Sequence, residues 1–162
     1  MFCKFLCQLF KMMFVSLHET TIKIQSRMEN QVVRWKQRFQ NFEKAITHLE
    51  AALQLSEPDI LQKAGIIQFF EMSYELAWNT LKDYLEEQGF SDVKSPRSAI
   101  KKAFEIGLIT DGHSWMELLI DRNLTSHVYD DVKAAEVESL IHQTYYPLLS
   151  ALYLTLKGLE NE

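Results

Sequence analysis

The chain has 162 residues, and its apolar content of 47% is enough for one domain with a buried core. It contains five glycines and three prolines, which argues against an all-β fold with many tight turns. A net charge of −5 argues against a protein that holds nucleic acid by nonspecific contacts with phosphate.

Residues 1–27 differ in charge from the rest of the chain. They carry four basic side chains and one acidic side chain, so the other 135 residues hold 13 of the 17 basic and 21 of the 22 acidic residues. Both cysteines, Cys3 and Cys7, also lie in this segment, which leaves the rest of the sequence without a disulfide or a thiolate zinc site. This cysteine usage fits the reducing cytoplasm, where we expect the protein to be located.

The apolar stretch within residues 1–27 is interrupted at positions 4, 11 and 18, so it is too broken to span a membrane. It also lacks the small-residue cleavage site of a signal peptide. An amphipathic segment that contacts a membrane is one interpretation. We expect instead that translation starts at Met28, that residues 1–27 are an extension outside the fold, and that residues 28–162 form the domain.

From Met28 onward the spacing of apolar residues predicts helices. The first helix has an apolar stripe with alternating spacings of three and four residues, which suits packing along another helix at a shallow angle. Ser56-Glu57-Pro58 then ends this helix and starts the next one. Proline is unfavourable in the interior of a helix but is tolerated in the first turn, where its missing N–H has no helical partner. The stripe consists of Val32, Trp35, Phe39, Phe42, Ile46, Leu49 and Leu53.

A second helix is predicted from about Asp59 to Gln88. Gly89 follows it, and glycine is the residue that most easily adopts the left-handed conformation that ends a helix. The core-facing side of this helix is predicted to consist of Ile60, Ala64, Ile67, Tyr74, Trp78, Leu81 and Leu85.

Two shorter helices are predicted next. Ser95-Pro96 is a cap followed by a first-turn proline, and it begins a short third helix that ends at Gly107. Asp111-Gly112 forms a turn, after which a fourth helix starts near Ser114.

The last helix is predicted to begin after Asp131 and to extend almost to the C-terminus. Pro147 lies in its interior and should kink it, because proline lacks the N–H that would bond the carbonyl four residues earlier. Together these elements predict an all-α fold, an antiparallel up-and-down four-helix bundle with an additional short helix. The apolar positions of the last helix include Val132, Ala135, Ile141, Leu148, Leu152, Leu156 and Leu159.

The octapeptide RNLTSHVY brings Arg122, Asn123, His127 and Tyr129 within about two helical turns. The arginine keeps its charge and can neutralise a phosphate, while the imidazole titrates near neutrality and can give or take a proton. These are the groups that metal-free phosphodiester chemistry requires. The alternative interpretation is an exposed Arg and His at the fraying end of a helix.

The spacing within this motif limits how its side chains can meet. On a regular helix, at ~100° per residue, Arg122 and His127 point about 140° apart, whereas Asn123 and His127 share a face. Arg122 and His127 therefore converge only if the helix ends or unwinds between them, or if a second copy of the chain completes the site.

Glu71, Glu75, Trp78 and Lys82 lie on one stripe of the second helix, because they are spaced 4, 3 and 4 residues apart. Two glutamates at positions i and i+4 repel each other unless a cation intervenes. We interpret one of them as the partner of Arg122 or Lys82 that supports the Arg–His geometry, without a preference between the two glutamates. The alternative is a solvated charged edge beside a core tryptophan.

Lys94, Arg97, Lys101 and Lys102 form the one compact basic cluster in residues 28–162. Because acidic residues are in excess in this part of the chain, RNA would have to bind at such a local patch. A solvated helix face is the alternative. A metal site is not expected, because a di-iron bundle needs Glu-x-x-His pairs on two helices and the sequence has none.

The chain resembles the HEPN family, in particular the branch of substrate-binding subunits of two-component minimal nucleotidyltransferases. The resemblance runs from about Trp35 to Leu156 and includes FFEMSYELAWNTLKDYLEEQGF (69–90), SPRSAIKKAFEIGLI (95–109) and WMELLIDRNLTSHVYD (115–130). The family motif is Arg, four residues, His, one residue and Tyr, with a polar residue after the Arg. RNLTSHVY fits this motif without a gap.

The resemblance implies a partner subunit of a minimal nucleotidyltransferase, with no cofactor, and two functions follow from it. In the first, the chain is a homodimeric, metal-independent endoribonuclease toxin neutralised by its nucleotidyltransferase antitoxin. Arg122, Asn123 and His127 are then catalytic, and Tyr129 accepts AMP from the partner, which silences the RNase. In the second, the chain is a non-catalytic subunit that binds a nucleotide or another substrate and presents it to the nucleotidyltransferase.

Overall fold

The structure is a computed structural model that describes residues 23–24, 26, 33–125 and 131–160, without the side chains of residues 123–125 and 131–133. This part of the chain contains helices and no strand, which confirms the all-α prediction. The helices are α1 (33–53), α2 (Ile60–Glu87), α3 (Pro96–Glu105), α4 (Gly112–Thr125), α5 (Asp131–Leu140) and α6 (Tyr146–Glu160), with a π-helix (Ile141–Tyr145) between α5 and α6.

Helix α1 runs antiparallel to α2. Arg34, near the start of α1, forms an ion pair of 2.9 Å with Asp83, near the end of α2. Further along, His48 of α1 stacks on Phe69, in the first half of α2, with 5.6 Å between ring centroids. The two helices therefore pass each other in opposite directions.

Helices α4 and α6 are also antiparallel. Trp115, near the start of α4, lines a pocket together with Leu152 of α6, whereas Asp121, near the end of α4, accepts a hydrogen bond from Tyr145 just before α6. Helix α6 runs antiparallel to α1 as well, since Lys36 near the start of α1 donates to the carbonyl of Glu160 at the end of α6, whereas Glu43 further along α1 accepts from the earlier Tyr153. The short α3 packs against α2 and α4. This arrangement matches the predicted up-and-down bundle with an additional short helix.

The apolar stripe of α1 faces the core, as its spacing predicted. Trp35, Phe39, Phe42, Ile46 and Leu49 are buried, and Leu53 is half-buried. Aromatic packing joins this stripe to the last helix, because Phe39 stacks on Tyr153 with 5.7 Å between ring centroids. Val32, the first predicted member, lies outside the described residues.

The predicted inner side of α2 is only partly correct. Tyr74, Leu81 and Leu85 are buried, but Ile60 is 52% exposed and Ala64 is exposed. Ile67 and Trp78 are half-buried. The helix is apolar on several sides. In its first half the buried residue is Ile66 instead of the predicted Ile67. The buried line of α2 consists of Ile66, Phe70, Ser73, Ala77 and Leu81.

The end of the bundle contains a π-helix where the sequence predicted a kink. Pro147 has no N–H, so the α-helical hydrogen bond at this point is absent, and the Tyr146 N–H instead bonds the Ile141 carbonyl five residues earlier. Ile141, Leu152 and Leu156 are buried, as predicted.

Other predicted positions of the last helix are wrong by one residue. Leu149 is buried while the predicted Leu148 is only half-buried. Ala134 is buried instead of the predicted Ala135. Leu159 is half-buried, and the side chain of Val132 lies outside the described part.

The starts of α2 and α4 follow from side chains that cap them. Asp59 caps α2, and its side chain accepts a hydrogen bond from the Gln62 N–H at 2.8 Å. Helix α4 starts two residues before the predicted Ser114, because the Asp111 carboxylate accepts the Ser114 N–H at 3.0 Å and so caps a helix that begins at Gly112. Among the described helices, none is long and apolar enough to cross a membrane.

Candidate active site

Arg122 lies in the last turn of α4, where the negative end of the helix dipole favours a positive charge. Its Nη2 is 2.8 Å from Oε1 of Glu75 on α2, and the two side chains are 31% and 42% exposed. Of the two glutamates left open by the sequence, Glu75 is thus the one that forms an ion pair with Arg122. The guanidinium is anchored at the surface of the bundle, where a ligand can reach it.

Glu75 is itself held by its own helix. The indole Nε1 of Trp78 donates to Oε2 of Glu75 at 2.7 Å. One carboxylate oxygen therefore accepts from Trp78 while the other faces Arg122. The half-buried Trp78 packs against the hydrophobic core, as its apolar spacing predicted, and its indole N–H also supports the carboxylate.

The other two members of the predicted stripe differ in their position. Glu71 lies one turn before Glu75 on the same helix and is half-buried. Lys82 lies 3.5 Å from Glu86 and so joins a charged cluster near the end of α2. The stripe therefore brings Glu75 and Trp78 to Arg122, whereas the described ion pair of Lys82 is elsewhere.

Two neighbours of the site were not found from the sequence. Asp121, directly before Arg122, accepts a hydrogen bond from the hydroxyl of Tyr145 in the π-helix. Tyr145 also stacks on Phe70 of α2, with 5.5 Å between ring centroids. Burial, and then this bond to Asp121, raises the pKa of Tyr145 well above its usual range. The available sequence signals were the position of Asp121 next to Arg122 and that of Tyr145 two residues before a proline.

Tyr74, directly before Glu75 on α2, is a second described phenol near the site. Its side chain is buried, and its hydroxyl has no hydrogen-bond partner among the described residues. Burial raises the pKa of Tyr74 far above its usual range, and the charge of Glu75 raises it further while that of Arg122 lowers it. These influences indicate that the phenol lies within electrostatic range of both charged groups.

The remaining motif residues can be placed only in part. The backbone of Asn123 is in α4, but its side chain is not among those described. His127 and Tyr129 lie outside the described residues, between the end of α4 at Thr125 and the start of α5 at Asp131. The convergence of Arg122 and His127 therefore stays a prediction.

Neither the geometry nor the residue types of the described region point to a metal centre. Within that region no three of His, Cys, Asp or Glu form a group that could hold a metal ion. His113 and Glu117 contact each other, with 3.3 Å between Nε2 and Oε1. The group that can bind a ligand here is instead the guanidinium of Arg122, which Glu75 orients. A guanidinium binds phosphate well because its N–H groups form a planar fork.

Residues 37–158 match the family model described as nucleotidyltransferase substrate binding protein like. A curated relative, the probable ribonuclease HepT of Haemophilus influenzae, is 35% identical over 98 residues. That match spans 52% of this chain and 63% of the relative.

Two solved structures share the fold. A protein from Thermus thermophilus superposes with a TM-score of 0.63 at 28% identity, covering 75% of this chain and 99% of the other. A Haemophilus influenzae protein, whose structure is described as the fold of a substrate binding domain of a nucleotidyltransferase, gives a TM-score of 0.57 at 27% identity. That match covers 78% of this chain and 98% of the other.

Proposed function

We propose, on the premise that the chain belongs to the nucleotidyltransferase substrate binding protein like family, that it is a metal-independent endoribonuclease neutralised by a partner nucleotidyltransferase. The observation that carries this proposal is the ion pair between Arg122 and Glu75, which anchors the arginine of RNLTSHVY at the end of α4. The similarity to a probable ribonuclease supports it.

In the proposed reaction a 2′-hydroxyl of RNA attacks the adjacent phosphorus, and the bond from phosphorus to the 5′-oxygen of the next nucleotide breaks. His127 takes the proton from the attacking 2′-hydroxyl and gives it to the leaving 5′-oxygen, so that a 2′,3′-cyclic phosphate and a free 5′-hydroxyl result. Arg122 stabilises the negative charge that develops on the phosphate, and Asn123 orients that phosphate. No metal is required, because these groups supply both proton transfer and charge stabilisation.

We further propose that two copies of the chain form the functional unit, with both motifs facing one cleft. Two guanidinium groups facing each other across a twofold axis would repel, and the pairing of Arg122 with Glu75 lowers that cost. Light scattering is expected to give a dimer at micromolar concentration. A monomer at that concentration would contradict this part of the proposal.

Tyr129 is the proposed point of control. Its phenol follows His127 by two residues, so an AMP group transferred to it by the partner would add bulk and negative charge beside the site. Phosphate groups there would exclude the phosphate of RNA. We therefore expect Tyr129→Phe to leave cleavage intact and to remove silencing by the partner.

A second candidate function is a non-catalytic subunit that binds a nucleotide and presents it to the nucleotidyltransferase. The description of a structural relative as a substrate binding domain favours it, and so does the excess of acidic residues. This function predicts no cleavage, no toxicity on expression without the partner, and substitutions that change only nucleotide affinity or partner activity.

One experiment distinguishes the two functions. Purified protein, with the partner confirmed absent, is incubated with RNA in EDTA, and the wild type is compared with His127→Ala and Arg122→Ala. The endoribonuclease predicts cleavage by the wild type and losses of roughly 10²–10⁴-fold in the variants. His113→Ala is the matched control, because His113 is exposed and paired with Glu117. Cleavage that His127→Ala leaves unchanged would rule out the proposed mechanism.

A further inference from the structure

Most of the described lysines and arginines have an acidic or carbonyl partner within the chain. Such partners reduce the attraction that these cations exert on an external anion. The surface that remains for a polyanion is therefore small. The engaged cations are Arg34, Lys36, Arg38, Lys63, Lys82, Lys102, Arg122 and Lys157.

Helix α3 and the residues before it differ from this pattern. Lys94, Arg97 and Lys101 are exposed and form no ion pair with any described residue. At ~100° per residue, Arg97, Lys101 and Phe104 lie on one face of the helix. We call Lys94, Arg97, Lys101 and Phe104 the α3 stripe. The other described cations without such a partner, Lys23 and Lys44, lie apart from it in the chain.

One member of the basic cluster predicted from the sequence, Lys102, does not belong to the α3 stripe. Lys102 points away from the α3 stripe, with its Nζ 2.7 Å from Glu105 and 5.0 Å from the centroid of the Phe90 ring. The charge of Lys102 is thus offset by Glu105. The charge of Glu105 is offset by Lys102 in turn, so this pair adds little net charge beside the stripe.

Phe104 adds an aromatic ring to this basic face. It is 53% exposed, although burial of such a ring is normally favourable. The ring lies against the first residue of α4, since a Cβ at Gly112 would come within 3.0 Å of its Cγ. Phe104 is therefore held in place by the backbone while much of its surface remains open to a ligand.

We propose that the α3 stripe binds the RNA strand of the proposed endoribonuclease reaction, with its cations on phosphates and Phe104 stacked on a base. Cations that track the backbone beside an exposed aromatic ring are the common elements of single-strand binding. An acidic protein surface could also pair with the cations, but it has no bases that stack on the Phe104 ring. The inference rests on the proposed function, because it names the surface that delivers RNA to Arg122.

The position of the stripe fits this role. Helix α3 packs against α2 and α4, the two helices that carry Glu75 and Arg122. Phe104 abuts the start of α4, and Arg122 lies ten residues further, about 15 Å along the helix axis. At a rise of ~3.4 Å per nucleotide, a strand of roughly five nucleotides spans that distance.

The test uses the full chain with a short single-stranded RNA and compares wild type, Arg97→Gln/Lys101→Gln, Phe104→Leu and Lys44→Gln. The double variant is expected to raise KM at least tenfold with kcat within about twofold, and to lower the salt slope of log KM by roughly 1.4, the contribution of two phosphate contacts. Phe104→Leu, which keeps an apolar contact with Gly112, is expected to raise KM about fivefold or more. Lys44→Gln should match the wild type.

Two results would overturn the inference. One is an unchanged KM and salt slope in the double variant. The other is unchanged cleavage together with lost silencing by the partner nucleotidyltransferase, which would make the stripe a protein-docking surface. Circular dichroism and thermal midpoints check the fold, and the single variants replace the double variant if it is unfolded.

A failure of the proposed function gives a different result. If the wild type does not cleave RNA, fluorescence anisotropy with labelled RNA tests the stripe directly. Binding that is lost in the double variant but retained in Lys44→Gln supports the stripe without the reaction, whereas equal binding by all variants refutes it.

Discussion

Glu75 connects the site to the rest of the bundle at the scale of single residues. Its two carboxylate oxygens face Trp78 and Arg122, so one side chain links the surface of α2 to the end of α4. Both partners of the ion pair are about a third exposed or more, and water therefore weakens its contribution to stability. We expect the ion pair to orient the Arg122 guanidinium and to contribute little to the free energy of unfolding.

Glu75→Gln tests this expectation, because glutamine keeps the shape and an acceptor for Trp78 but removes the charge. Cleavage should fall roughly 10–100-fold through misplacement of Arg122, while the free energy of unfolding should change by less than about 1 kcal/mol. Activity assays and denaturant titration measure the two quantities. Glu138→Gln, which removes a carboxylate 3.8 Å from Lys63, is the matched control. Equal activity of both variants would argue against a positioning role.

At the scale of elements, the π-helix determines which residues of the last helix meet α4. The wide turn before Pro147 puts Tyr145 between Phe70 and Asp121, and so ties the end of α4 to two other helices. Tyr74, on the neighbouring α2, is equally buried but its hydroxyl has no described partner. The two phenols form a natural pair for comparison.

Tyr145→Phe removes a hydroxyl that donates to a carboxylate and should lower the free energy of unfolding by about 1–3 kcal/mol. Tyr74→Phe removes a buried hydroxyl without a described partner and should change it by less than about 0.5 kcal/mol in the destabilising direction. Urea denaturation of both variants measures the difference. A loss for Tyr74→Phe as large as that for Tyr145→Phe would mean that Tyr74 has a partner that this structure does not describe.

The sequence predicted elements better than contacts between them. The stripe of α1 was correct because most of its large apolar residues lie on one side, with Trp35 and Phe39 both buried, and Val33 is an exposed exception. Helix α2 is apolar on several sides, so packing, and not periodicity, decides that Ile66 is buried and Ile60 is exposed. The sequence could not identify the partner of Arg122 for the same reason. Glu71 and Glu75 share a face of α2, and only the way α4 packs on α2 determines that Glu75 forms the ion pair.

For the whole molecule, the distribution of ion pairs explains how an acidic chain packs its helices. Asp83 is buried between two cations of α1, with 2.9 Å to Arg34 and 2.7 Å to Arg38. Glu43 likewise accepts from Lys157 at 3.0 Å, and from Tyr153. Opposite charges are thus paired where α1 packs against α2 and α6, whereas the cations of the α3 stripe are exposed to solvent.

The buried phenols make stability of the whole bundle sensitive to alkali. Tyr74 and Tyr145 have raised pKa values in the folded state, whereas an unfolded tyrosine titrates near ~10. The folded chain therefore keeps these protons at pH values where the unfolded chain loses them. Their contribution to stability is fully present below about pH 10 and is lost as the pH rises above that value.

We expect the thermal midpoint to be nearly constant from about pH 8 to pH 9.5 and to fall above about pH 10. The variant Tyr74→Phe/Tyr145→Phe should start from a lower midpoint and decline less steeply, because it lacks the two titrating groups. Differential scanning fluorimetry across this range measures both curves. Parallel curves for wild type and variant would assign the decline to other groups, such as Lys157, whose pKa is also raised.

The π-helix also has a consequence for how chain length varies among relatives. A turn closed between Ile141 and Tyr146 contains one residue more than an α-helical turn. Deleting one residue there would restore regular bonding but rotate one side of the helix by ~100° relative to the other. Either Tyr145 would leave Asp121, or Leu149 and Leu152 would leave the core. A one-residue gap at this place in an alignment therefore marks relatives in which either another contact holds the end of α4 or other side chains fill the core beside α6.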